Sequence, residues 1–270
     1  MIINIKSISK KCKFYFKIWI LMAKNSLLIW LASRSSLPLF LLGKVIRYIF
    51  YFGFLYFLVG QTKGLAGYES NQILFFTATY VLIDTLAQFF FRSVYSFRPL
   101  VISGDLDLIL VKPVNALFRV LMGGPDPVDL ITIPPIIAVV VYIGSLLSPS
   151  LLQIFYYILL IINGLLIATA FHVVVLSFGI ITLEIDHTIM IYRDLTSMGR
   201  LPVDIYKEPL KGILTFLIPV GVMMTLPAKA LMGLVNPLGI VSTLIFGIAL
   251  LMLSFKFWNF ALKKYSSASS

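Results

Sequence analysis

Residues 151–182 read LLQIFYYILLIINGLLIATAFHVVVLSFGIIT, 32 positions without a single Asp, Glu, Lys or Arg. A helix needs about 20 mostly apolar residues to cross the hydrocarbon core of a bilayer. This run is long enough to cross and then to tilt or project into water. Working outward with the same ruler, five more stretches qualify, at about 38–60, 72–91, 131–148, 210–227 and 238–260. The reading is an all-α integral membrane protein with six transmembrane helices. The span at 131–148 opens with Thr132, Pro134 and Pro135. Proline suits a first helical turn, where its missing N–H would have no partner. Pro219 and Pro227 interrupt the span at 210–227, so its tail, LPAKALMGLVNP, can fold back as a re-entrant element before the last span.

Composition agrees: of 270 residues 60% are hydrophobic and 12% charged, with a mean hydropathy of +0.99. A soluble domain is about 45–50% apolar and about 25% charged, so a water-soluble globule is excluded. The lone Cys12 forms no internal disulfide, and two histidines are too few for a zinc site. A net charge of +11 would suggest nucleic acid in a soluble protein. In a membrane chain it instead reports threading, because cytoplasmic loops collect Lys and Arg. Counted by segment, 18 of the 22 basic residues fall on one side. They include Arg92, Arg98, Lys112 and Arg119 after the second span and Arg193, Arg200, Lys207 and Lys211 after the fourth, with Lys63 and Lys229 on the other side. Both termini are expected in the cytoplasm, and no nucleic-acid partner is expected.

Lys6, Lys10, Lys13, Lys17 and Lys24 are spaced 4, 3, 4 and 7 apart and so share one stripe of a helix. Phe14, Ile18, Trp19, Leu21 and Met22 occupy other faces. Residues 1–36 are therefore expected to hold an amphipathic helix in the plane of the membrane surface, each lysine contributing about 1 kcal/mol near anionic lipid. Lys17 and Lys24 break the apolar run that a cleaved signal peptide would need. A seventh span here would bury two lysines at about 2.5–3.5 kcal/mol each. The transmembrane domain then covers 37–262, and residues 263–270, ending SSASS, are expected to form a disordered tail.

No catalytic motif emerges. Gly43-Lys44 is followed by Val45 and has Pro38 where a P-loop needs its first glycine. HExxH, GxSxG and a pair of intramembrane carboxylates are all absent from the sequence. Neither an enzymatic activity nor a cofactor is expected in this chain. The intramembrane ionisable residues are Lys44, Arg47, Asp84 and His172. Asp84 either relays a proton or cation, as in an ion-coupled secondary transporter or channel, or pairs with Lys44 or Arg47, or faces a wet cavity. His172 and Asn163 fit helix–helix hydrogen bonds. Gly239, Thr243 and Gly247, at every fourth position, give the last span a small-residue groove for a neighbouring helix of this chain or of another subunit.

The loop at 92–130 contains SFRPLVISGDLDLILVKPVNALFRVLMGGPDPVD from Ser96 onward. Within it Leu106, Leu108, Ile109, Leu110 and Val111 form an apolar element bounded by Gly104-Asp105 and Lys112-Pro113. It is too short to span, so it must bury itself on the membrane surface or on a partner.

GDLDLILVKPVN (104–115) and LPVDIYKEPLKGILTFLIPVGVMMTLPAKAL (201–231) resemble the membrane subunit of ABC type-2 exporters, in a subgroup of six-span permeases of unassigned substrate. The family pattern G-x-L-D-x-x-L-x-[KR]-P is met by Gly104, Leu106, Asp107, Leu110, Lys112 and Pro113. A second pattern around the fifth span is met by Pro202, Tyr206, Leu210, Ile218, Pro219, Pro227 and Ala228. Leu201 departs from the aromatic usual before the proline, and Glu184 to His187 replace a plainer helix end. The resemblance implies a half-transporter in a prokaryotic plasma membrane, paired with a second permease, identical or paralogous, and with cytoplasmic ABC ATPase subunits that carry ATP and Mg. It implies an elbow helix before the first span, a coupling helix after the second and a re-entrant segment between the fifth and sixth. In the coupling helix Asp105, Asp107 and Lys112 are the expected polar contacts to the ATPase, and Leu106, Ile109 and Leu110 the side buried against it.

Overall fold

The computed structural model describes residues 5–32, 36–62, 64–182 and 185–266. Lys63, Glu184 and the last four residues of the tail lie outside the described residues. The chain runs through α1 (Ile5–Ala32), α2 (Ser36–Thr62), α3 (Ser70–Phe91), α4 (Phe97–Ile102), α5 (Asp105–Leu110) and α6 (Ala116–Leu121). It continues through α7 (Pro127–Ser145), α8 (Leu151–Thr182), α9 (Ile185–Ser197), α10 (Leu210–Leu217), α11 (Gly221–Leu231) and α12 (Pro237–Lys264). Among the described residues there is no strand, only an isolated bridge between Leu65 and Tyr68. The protein is an all-α membrane protein, with α1, α2, α3, α7, α8 and α12 each long and apolar enough to cross a bilayer.

Local sequence sets the helix starts. Glu69 and Gln72 cap α3 reciprocally, the Glu69 N–H donating to Gln72 Oε1 at 2.9 Å. Asp126 caps α7 by accepting from the Val128 N–H at 2.9 Å, with Pro127 in the first turn. Asn236 does the same for α12, accepting from Gly239 at 2.7 Å. The Asp126-Pro127 start moves α7 four residues ahead of the expected 131, so Pro134 and Pro135 lie inside the helix rather than in its first turn. At the other end of the chain α12 stays helical through Lys264, two residues into the segment expected as a tail.

The bundle is built around α8. It packs along α12, with Asn163 Nδ2 donating to the Thr243 carbonyl at 3.1 Å and the Phe178 and Phe257 rings 5.1 Å apart. These pairings keep a constant register, so α8 and α12 run parallel. α3 packs on the same core through Phe75, Ile83 and a Thr79–Tyr157 hydroxyl contact of 3.2 Å. Two faces follow. The loop face carries residues 92–126, and the end of α12 reaches it where Trp258 meets Phe97 with rings 6.4 Å apart. The far face carries the loop at 64–69, the turn at 146–150 and the approach to α12.

α1 lies along the loop face. Tyr15 meets Phe118 with rings 4.9 Å apart, Trp19 meets Phe89 and Phe90, Met22 Sδ accepts from Arg119 at 3.2 Å, and Ser26 donates to the Pro125 carbonyl at 2.8 Å. Tyr15, Trp19, Met22 and Ser26 recur every three or four residues, opposite the lysine stripe, and Lys10, Lys13, Lys17 and Lys24 are exposed. The side chain of Lys6 lies outside the described residues.

The fifth crossing is not where apolarity placed it. Residues 210–231 form two helices, α10 and α11, bent by 77° around Pro219. Neither half crosses; the pair turns back beside Gly199, whose missing Cβ would stand 2.7 Å from Val220 Cγ1. The crossing is made by α9 and the residues after it. Asp186 meets Arg98 at the loop face at 2.9 Å, and Tyr192 meets His172 at 4.7 Å between rings. Thr77 donates to the Arg200 carbonyl at 3.2 Å, and Tyr68 donates to Asp204 at the far face at 2.9 Å. The segment from 185 to 205 thus runs antiparallel to α3 over its whole depth. It carries Asp186, Arg193, Asp194, Arg200 and Asp204, too many charges for an apolar ruler to accept. Arg193 and Arg200, both exposed, therefore stand along the crossing, and Lys207 and Lys211 at the far face, not on the loop side to which the charge count assigned them.

Candidate functional site

Two regions carry the functional side chains. The first is α5, on the loop face. Gly104 precedes it in a left-handed conformation, φ 79°, which a residue without Cβ adopts freely. Ser103 Oγ donates to Asp105 at 2.7 Å. Leu106, expected on the docking side, is instead fully buried in the chain's own core, and Ile109 packs at the edge of that core. The exposed apolar residues are Leu108 at 60%, Val111 at 80% and Leu110 at 37%. A six-residue helix has two faces, and anchoring one to the bundle leaves the other for a partner. Burial and the Asp107 carboxylate together raise the Tyr265 phenol pKa, which ties α5 to the end of α12. Lys112 and Pro113 follow in an exposed turn.

The second region is a cavity of about 390 Å³ between α2, α3 and α9. α2 contributes Arg47, Tyr48 and Tyr51; α3 contributes Tyr80, Val81 and Asp84; the fifth crossing contributes Met190, Arg193, Asp194, Thr196, Ser197 and Arg200. Of the sequence candidates, Arg47 and Asp84 are brought together here, whereas Lys44 and His172 are not. Lys44 pairs with the fully buried Asp129 of α7, so the expected Asp84–Lys44 bridge does not form. Asp84 accepts from Gln88 Nε2 at 2.7 Å, one turn along its own helix, and opens on the cavity. Arg47 donates to the phenol of Tyr48 at 3.4 Å, and Tyr48 meets Thr85 at 3.1 Å, which sets Arg47 level with Asp84. Arg193 lies over the Tyr95 ring at 5.9 Å. Arg200, beside Thr77, is seven residues of α3 nearer the far face than Asp84, about 10 Å at 1.5 Å per residue. His172 is buried between the rings of Phe91 and Tyr192, its Nδ1 2.7 Å from the carbonyl of Ala168, so among the described residues its hydrogen bond is to its own helix and not to another.

Arg193, Asp194 and Arg200 escaped sequence reasoning because they were assigned to a loop. The signal that could have found them is the period of the segment: Arg193, Ser197 and Arg200 are three or four apart, as on one helix face, and Ile189, Tyr192 and Thr196 lie toward the core.

Other expected sites resolve simply. The partner of the last span's small-residue groove is α8 of the same chain: Asn163 occupies the space a Cβ would need at Gly247, and its amide meets Thr243. Gly239 serves the Asn236 cap instead. At the far face Asp204 is held by Lys229 at 2.6 Å, Lys211 at 2.9 Å and Tyr68 at 2.9 Å. Burial opposes its ionisation, but these three donors outweigh burial and hold the carboxyl down at about 2. The cluster pins the end of the fifth crossing to the loop at 64–69 and to both arms of the re-entrant pair.

No curated protein and no solved structure matches this chain. A family model does: that of the ABC-2 family transporter protein, over residues 45–269. The match runs from within α2 to beyond α12 and so takes in α5, the cavity and the re-entrant pair. A bundle of crossing helices with a short anchored helix on one face, matched over most of its length, belongs to the ABC-2 family of transporter proteins as a membrane permease subunit.

Proposed function

We propose that this chain is the permease of an ATP-driven exporter, forming the pathway with a second permease and driven by separate ABC ATPase subunits that carry ATP and Mg. The loop face is its cytoplasmic face and the membrane is a plasma membrane; the excess of basic residues near α1, the loop at 92–126 and the end of α12 supports that orientation. The observation that carries the reading is α5. Leu106 roots it in the core while Leu108 and Val111 stand exposed beside Asp105 and Lys112, a small apolar patch with a polar rim. Movement of an ATPase against that patch is transmitted through Leu106 to the helices around it. ATP binding biases the bundle only through contacts that differ between its two states, and in this reading α5 makes them. The polar cavity is this chain's share of the pathway, since ionisable side chains at mid-depth face water-filled space rather than lipid.

The test uses Leu108→Asp and Val111→Asp together. Both side chains are exposed, so the permease should fold and reach the membrane, yet lose co-purification of its ATPase and ATP-dependent transport. Retained co-purification with unchanged transport would sink the assignment of α5.

A further inference from the structure

We propose that the cavity between α2, α3 and α9 takes a monoanionic amphiphile, its acidic head among Arg47, Arg193 and Arg200 and its apolar body in the groove next to it. The inference rests on reading the cavity as part of the pathway, and adds the class of substrate. Three guanidinium groups face two acidic side chains, Asp84 and Asp194, so even with both acids ionised at least one positive charge in the cavity is uncompensated. Among the described residues none of the three forms an ion pair within 4.0 Å; their partners are the phenol of Tyr48, the ring of Tyr95 and the phenol of Tyr80. The other nearby cations are already committed, Lys44 to Asp129 and Arg92 to Asp126. A charge at hydrocarbon depth is costly unless it is hydrated or paired. A single carboxylate, phosphodiester or sulfonate head would supply the missing charge, and the planar fork of arginine fits such heads with paired hydrogen bonds.

The apolar half of the ligand is read from a second cavity. A groove of about 640 Å³ lies between α2, α3 and α7, walled by Ile49, Phe52, Leu74, Ile136 and Val139. Tyr48 belongs to the walls of both cavities, and its hydroxyl meets Thr85. The polar and apolar sites are therefore neighbours across one side chain. An inorganic ion would leave the groove unused, and a neutral hydrocarbon would leave the arginines unpaired. One molecule with an acidic head and an apolar tail satisfies both.

The experiment uses the full-length chain in phosphatidylcholine nanodiscs with 11-(dansylamino)undecanoic acid as fluorescent probe. Saturable binding is expected, displaced by decanesulfonate but not by decyltrimethylammonium or inorganic phosphate at equal concentration. Arg47→Gln and Arg200→Gln should each weaken the probe about tenfold, and Ile49→Trp, which fills the groove, should weaken it too. Equal displacement by the cation would overturn the anion assignment, and equal displacement by inorganic phosphate would overturn the groove. A second measurement separates this from the pathway reading: Ser197→Cys in a Cys12→Ser background is exposed to sulfonate and trimethylammonium methanethiosulfonates, with rates normalised to a free thiol. Faster reaction with the sulfonate supports the proposal. Preference for the cation overturns the substrate class and leaves the pathway standing, whereas no reaction with either reagent overturns the pathway reading itself.

Discussion

Asp204 shows how far a single side chain can be read from sequence and where reading stops. In the sequence it is one acid with no evident partner; its three donors come from positions 68, 211 and 229, which only the folded chain brings together. With its carboxyl held at about 2, against about 3.9 for a free aspartate, the cluster contributes stability that is complete above pH 4. That stability is lost as pH falls through 4 toward 2. Its partial exposure limits the contribution to about 1–2 kcal/mol. Thermal unfolding in detergent should therefore show Asp204→Asn less stable than the parent at pH 7, with the two converging near pH 2. Gly247 makes the complementary case. Its place in the groove was legible, but the occupant, Asn163, was not. Gly247→Ala forces that amide aside, and a loss of about 1–3 kcal/mol in the same unfolding assay is expected. Gly53→Ala, on α2 with open space where its Cβ would stand, should change little.

Helices were readable where one physical signal dominated. Apolarity located α2, α3, α8 and α12 to within a few residues, and the lysine stripe located α1. Apolarity failed for the fifth crossing because that segment faces a polar cavity on one side and the core on the other, so its average composition resembles that of a loop. The apolar stretch at 210–227 was then taken for the missing span, although Pro219 breaks it into the re-entrant pair. The two elements fit closely at Gly199, and Gly199→Ala should lower the melting temperature, with an expected cost of about 1–3 kcal/mol, because the buried Val220 and Met224 would have to shift to admit the methyl group. α5 gives a contrast within one short helix. Leu106→Asp places a charge in the core at a cost of several kcal/mol and should reduce the yield of folded protein, while Leu108→Asp should leave yield and melting unchanged.

For the molecule as a whole, the all-α membrane fold was legible, and the assignment of one crossing was not. The consequence is substantial. Moving the fifth crossing to 185–205 brings Arg193 and Arg200 into the membrane beside Arg47 and Asp84, creating a polar cavity that the apolar-span reading lacks. It also carries Lys207 and Lys211 to the far face, where Lys211 joins Lys229 on Asp204. The excess of basic residues still lies with the loop face, so the proposed orientation is the same under either assignment. Single cysteines at Lys112 and Lys207, each in a Cys12→Ser background and labelled in intact cells with a membrane-impermeant maleimide, test this arrangement directly. Lys207→Cys should label from outside and Lys112→Cys only after the membrane is opened; protection of both until opening would place them on one side and restore 210–227 as the fifth span.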